Sequence, residues 1–171
     1  MLCYTLFFGV MARCVLFLIL LHFASLATQE TLTFNWNVGW VTAAPDGYER
    51  PVIGVNGQWP WPIMECNVND TLVVNIHNNL GNETTSLHHH GIYQCGTNTM
   101  DGVAQVHQCP IPNGKSYTYT FTAYPSGTRW YHSHDNSQYP DGFRAPMIIH
   151  DPEWEASLDF DEQFTFSVSD W

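Results

Sequence analysis

Basic side chains are scarce in this sequence: 5 Lys and Arg face 16 Asp and Glu, for a formal net charge of -11. A surface of that sign repels nucleic-acid phosphates and anionic headgroups, so nucleic-acid binding is excluded. Charge of either sign is thin, at 12% of residues, whereas 44% are hydrophobic and 7 Trp, 8 Tyr and 10 Phe are present. That composition excludes a disordered chain and describes a globular, aromatic-rich one. Helical periodicity, internal repeats and low-complexity linkers are all lacking. At 171 residues, one domain with one core is expected. The acidic stretch Asp151, Glu153, Glu155, Asp159, Asp161 and Glu162 holds no basic residue and reads as a solvated connector.

The apolar N-terminal stretch, residues 2–27, has Arg13 as its single charged side chain, with an apolar run directly behind it. This is the layout of a secretory signal peptide, 1–27, with Ser25-Leu26-Ala27 supplying the small residues before cleavage. Met11-Ala12-Arg13 makes a better-shaped start than Met1, and an uncleaved anchor from Leu2 to Leu26 is the competing reading. Secretion places Cys66, Cys95 and Cys109 in an oxidising compartment, where three cysteines cannot all pair within the chain. Either one thiol stays free or a partner lies outside this sequence. Two glycosylation sequons, Asn69-Asp70-Thr71 and Asn82-Glu83-Thr84, agree with secretion.

Apolar side chains alternate with polar ones at Leu32, Phe34, Trp36 and Val38, at Leu72, Val74 and Ile76, and at Tyr117, Tyr119 and Phe121. Phe164, Phe166 and Val168 repeat the pattern. A period of two marks strands with one buried face. Pro45-Asp46-Gly47, Asn56-Gly57, Pro112-Asn113-Gly114 and Pro140-Asp141-Gly142 supply turns between them. The expectation is all-β: an antiparallel Greek-key sandwich or barrel, with a last strand running to Trp171.

Histidines cluster twice, in His88-His89-His90-Gly91 and in Tyr131-His132-Ser133-His134. On a strand, residues two apart share a face, so His88 with His90, and His132 with His134, each present two imidazoles to one site. Imidazole suits zinc, copper, iron and nickel, so donor type alone does not choose the metal. His89 alternates away and is expected on the outer face. His77, His107 and His150 stand alone and receive no role.

The ordered series Thr33-Phe34-Asn35-Trp36, Asn56-Gly57-Gln58-Trp59-Pro60, His88-His89-His90-Gly91, Met100-Asp101-Gly102, Gln108-Cys109-Pro110-Ile111 and Gly127-Thr128-Arg129-Trp130-Tyr131-His132-Ser133-His134 carries a resemblance. It resembles the first cupredoxin domain of a multicopper oxidase, most nearly the fungal iron-transport ferroxidases, with laccases next. The resemblance covers about Thr31 to Trp171. It implies a cupredoxin-type β-sandwich over 28–171, copper as cofactor, and half the ligands of a trinuclear cluster at which dioxygen is reduced to water. His88 then stands where the type 2 copper ligand does, and His90, His132 and His134 where type 3 ligands do. Asp101 matches a catalytic acid that assists proton delivery to reduced oxygen.

Nothing in the chain matches the cysteine and two histidines of a type 1 copper site, and the remaining cluster histidines are missing. The chain therefore reads as the N-terminal piece of a longer oxidase, lacking its later domains and inactive alone. The parent would take electrons from Fe(II) or a phenol, at the cell surface or in the medium, with an iron permease as a possible partner. A stand-alone secreted copper-binding domain without oxidase activity is the alternative. His89 departs from the family's usual aromatic. Pro146 departs as well, and the strand after the second cluster is expected to be perturbed because proline lacks a donor.

Overall fold

The structure is a computed structural model that describes residues 29–171. The signal-peptide reading, its cleavage point and the Met11 start lie outside the described residues. Eight strands form: β1 (Thr31–Ala43), β2 (Arg50–Val55), β3 (Met64–Asn67), β4 (Thr71–Asn78), β5 (His88–His90), β6 (Ser116–Thr122), β7 (Gly127–His132) and β8 (Arg144–His150). They make two four-stranded sheets, ordered β2-β1-β4-β6 and β3-β8-β7-β5.

The alternation read from the sequence is the alternation that packs. Trp36 and Val38 of β1, Leu72, Val74 and Ile76 of β4, and Tyr119 and Phe121 of β6 turn inward and are buried. They meet Met64, Tyr131, Met147 and Ile149 of the second sheet in one core. The sandwich is mixed rather than wholly antiparallel. The first half of β1 runs parallel to β4, its second half pairs antiparallel with β2, and β3 runs parallel to β8. Alternation identifies the residues that share a face and carries no information on strand direction.

Trp61, 3% exposed, is a core anchor. Its ring stacks on Phe143 at 3.9 Å and meets Trp36 edge-on at 5.5 Å, while Nε1 donates to the Ile53 carbonyl at 2.9 Å. Trp61→Ala is expected to lower unfolding free energy by about 3–5 kcal/mol, read from denaturant unfolding at pH 7.

Two expectations need correction. Phe164, Phe166 and Val168 form no strand, and Val168 is 96% exposed. A period of two becomes a strand only where a free edge supplies hydrogen bonds and a face to bury, and none reaches this segment. The end of the chain is held instead by Trp171, which meets Trp59 edge-on at 4.9 Å beneath the guanidinium of Arg50. Nor does Pro146 break β8. It pairs with Trp130, and β3 joins β8 only from Met147 onward, so the missing donor falls just outside the doubly flanked stretch. The acidic connector carries one turn of helix, α1 (Pro152–Glu155), capped by Asp151, which accepts from the Trp154 amide. Among the described residues no helix is long and apolar enough to cross a membrane.

Candidate metal centre

β5 and β7 run antiparallel with His88 opposite His132 and His90 opposite Trp130. This register, rather than spacing along the chain, brings the two clusters together. Donor nitrogens of His88, His90 and His132 all lie within 4.8 Å of one another. His90 Nδ1 and His132 Nε2 are 3.4 Å apart, a separation that one ion could bridge with bonds of about 2.0–2.1 Å. β7 ends at His132, so His134 belongs to the following loop rather than to the strand. Its ring stands at the rim of the group, 5.5 Å from that of His88 and 6.0 Å from that of His132.

Backbone carbonyls orient two of these rings. His88 Nδ1 donates to the carbonyl of Asp101 at 2.6 Å, and His132 Nδ1 to that of Ser133 at 2.8 Å. Each bond fixes a tautomer and turns a bare Nε2 toward the group, as metal-binding imidazoles require. Burial, joined by imidazolium charge on the neighbouring histidines and opposed by the Ser133 carbonyl, pushes His132 down to about 4. Burial also lowers His88, with the Asp101 carbonyl and carboxylate opposing. Both rings are therefore neutral at pH 7 and ready to donate to a cation without first losing a proton. Trp130 stacks on His132 at 3.9 Å and on His90 at 5.1 Å, limiting how far either ring can turn.

Asp101 follows a 3-10 turn, Asn98–Met100, and lies between two imidazoles. Its Oδ1 is 3.4 Å from His88 Nδ1, and its Oδ2 is 3.1 Å from His107 Nδ1, at an angle that does not make a hydrogen bond. The sequence singled out Asp101 but gave no role to His107, because a lone histidine on an irregular loop carries no periodicity to place it.

His89 is the clear reversal. It was expected outside and is fully buried, 4.3 Å from the ring of Phe121 and 5.5 Å from that of Tyr119. His88 and His90 instead face out from the sandwich, His88 against Asp101 and beside His134, His90 exposed. A period of two says that His89 opposes its neighbours and is silent on which side is the core. The three cysteines are unpaired among the described residues: Cys95 and Cys109 are exposed, and Cys66 is buried, its thiol pushed up to about 12 by burial.

A family model described as multicopper oxidase matches residues 37–154. The chain is 53% identical over 147 residues to the iron transport multicopper oxidase fetC of Epichloe festucae, covering 85% of this chain and 24% of that protein. It is 43% identical over 144 residues to Laccase-1 of Cryptococcus neoformans var. neoformans, covering 82% and 23%. Among solved structures, Fet3p, a multicopper oxidase that functions in iron import, superposes with a TM-score of 0.74 at 46% identity, over 77% of this chain and 25% of that one. The chain thus spans about a quarter of the length of the curated relatives it matches.

Proposed function

The chain belongs to the multicopper oxidase family, and on that premise we propose that residues 28–171 are the first cupredoxin domain of a secreted or cell-surface ferroxidase. The observation that carries this reading is the convergence of His88, His90 and His132 within 4.8 Å, built by the β5–β7 register. An all-imidazole donor set, with the second nitrogens of His88 and His132 tied to carbonyls, fits copper, and family membership implies that metal. In this proposal His88 is the type 2 ligand, and His90, His132 and His134 are type 3 ligands, supplying half of a trinuclear cage. Bound copper supplies one-electron chemistry and the site where dioxygen is reduced to water.

The chain's own groups do three things there. His88 and His132 offer preset Nε2 atoms. Trp130 holds the His90 and His132 rings in place and shields one side of them from water. Asp101 Oδ2, within reach of His107 Nδ1, is the oxygen that takes a proton and passes it toward dioxygen as it is reduced. Electron entry from Fe(II) needs a type 1 site, for which this chain carries no ligand set, so the chain alone has no oxidase activity. Iron transport in the names of its relatives favours Fe(II) over a phenol as reductant; a membrane iron permease is the partner this proposal gives to the whole protein. Secretion and glycosylation are part of the same reading, and both sequon asparagines, Asn69 and Asn82, are exposed.

The test is to capture the native protein with an antibody against residues 28–171 and to measure its mass, copper content and oxygen uptake with Fe(II). A product several times larger than 19.5 kDa that contains copper and consumes oxygen is expected, with His132→Ala abolishing uptake. A copper-binding product near the size of this chain, without oxidase activity, would establish the stand-alone copper-binding domain instead. Oxygen uptake by this chain alone, loaded with copper, would overturn the division of labour proposed here.

A further inference from the structure

Gln138 lies in the loop between β7 and β8, is 2% exposed, and hydrogen-bonds to none of the four site histidines. Its carboxamide nevertheless joins the segments that carry them. Oε1 accepts from Thr85 Oγ1 at 2.8 Å and from Ser133 Oγ at 2.7 Å. Nε2 donates to the Thr84 carbonyl at 2.7 Å and to Glu83 Oε2 at 3.1 Å. A carbonyl and a carboxylate can only accept, so the amide nitrogen has to face them, and all four of its bonding positions are filled. Thr85 leads into His88, and Ser133 separates His132 from His134. A second strap runs alongside, from Thr84 Oγ1 to Asp135 Oδ2 at 2.6 Å.

β5 needs such a strap. It is three residues long, sits at the edge of its sheet and pairs only with β7. A slip of one residue would send His88 and His90 inward and His89 out. We propose that Gln138 is a positioning residue that locks β5 against the loop after β7 and so sets the separation of the two histidine pairs. The inference rests on the reading of those pairs as copper ligands.

The test uses this chain with Cu(II) as the probe. Gln138→Met keeps the side-chain length and removes every hydrogen bond of the carboxamide. Asp70→Ala serves as the comparison, because it removes a buried carboxylate bonded to the Glu30 and Asn67 amides in the β3–β4 turn. In Gln138→Met, amide hydrogen exchange at His88–His90 should accelerate and Cu(II) affinity fall, each by about tenfold or more, with an altered copper EPR spectrum. Asp70→Ala should lower the melting temperature and leave all three unchanged. Unchanged β5 exchange in Gln138→Met, or unchanged affinity beside a wild type that binds Cu(II), overturns the proposal. Undiminished copper in the full-length protein carrying His132→Ala would refute the ligand reading separately, and where the wild-type chain alone binds no Cu(II), β5 exchange still decides for or against Gln138. Where Gln138→Met fails to fold, Thr85→Val and Ser133→Ala each remove one of its bonds and are read by the same measures.

Discussion

Gly102→Ala is expected to destabilise the protein by about 3 kcal/mol or more and to release the ring of His88. Two effects add. Gly102 sits at φ +81°, where an L side chain costs about 1–2 kcal/mol. Its missing side chain also allows the closest approach of this loop to β5: an added Cβ would fall inside the Leu87 carbonyl, 3.0 Å from His88 Cα. Both obstacles are backbone, so neither can swing aside as a side chain would. The loop has to back away, and with it goes the Asp101 carbonyl that holds His88 Nδ1 at 2.6 Å. Gly81→Ala isolates the first effect, because Gly81 has φ +82° but open space where its Cβ would lie, so the excess loss at Gly102 measures the second. Denaturant unfolding of both variants should give the larger loss at Gly102. Ring NMR should show His88 tautomer exchange in that variant alone.

The second large effect is a loss of stability in acid that traces to His89. Burial with no partner for either ring nitrogen, reinforced by imidazolium charge on His88 and His132, pushes this imidazole down to about 3. The unfolded chain takes the proton near the ordinary value of 6.5, so it binds more protons than the folded chain between pH 6.5 and 3. Above that window the group contributes no pH dependence. Within it, stability falls by about 1.4 kcal/mol per pH unit from this residue. His89→Phe substitutes a ring of similar shape with no polar atom, against Phe121 and Tyr119. Between pH 7 and 4.5 the variant should lose about 2–3 kcal/mol less than wild type in denaturant unfolding. Parallel losses in the two proteins would show that His89 is already protonated or solvated in the folded state.

These two residues also mark where sequence reading stops. The inward faces of β1, β4 and β6 were legible because Trp36, Val74 and Tyr119 each sit in a run long enough to show a period. The pairing of His88 with His90 was legible for the same reason. The side of the sheet that holds His89 was not, since it is decided by Phe121 and Tyr119 of β6, in the other sheet and distant in sequence. Alternation at Phe164, Phe166 and Val168 was real but found no edge to join. Nothing in the sequence sets Gly102 apart from the other glycines, and its role appears only against the Leu87 carbonyl. The links from Gln138 to Thr85 and from His107 to Asp101 join irregular segments, where spacing carries no geometric meaning. The histidine motifs and the family resemblance were thus legible well before the contacts that orient them.

The pairing order of the second sheet has a kinetic consequence. β5 reaches the sheet only through β7, β7 through β8, and β8 pairs Met147 with Met64, which lies 83 residues earlier in the chain. Closing such loops costs entropy before any contact repays it, so folding is expected to be slow. As a three-residue strand at the edge of this sheet, β5 is expected to be completed late and to fray early. Metal loading is then expected to follow collapse, and an ion gripped by β5 and the end of β7 would stabilise that short edge strand.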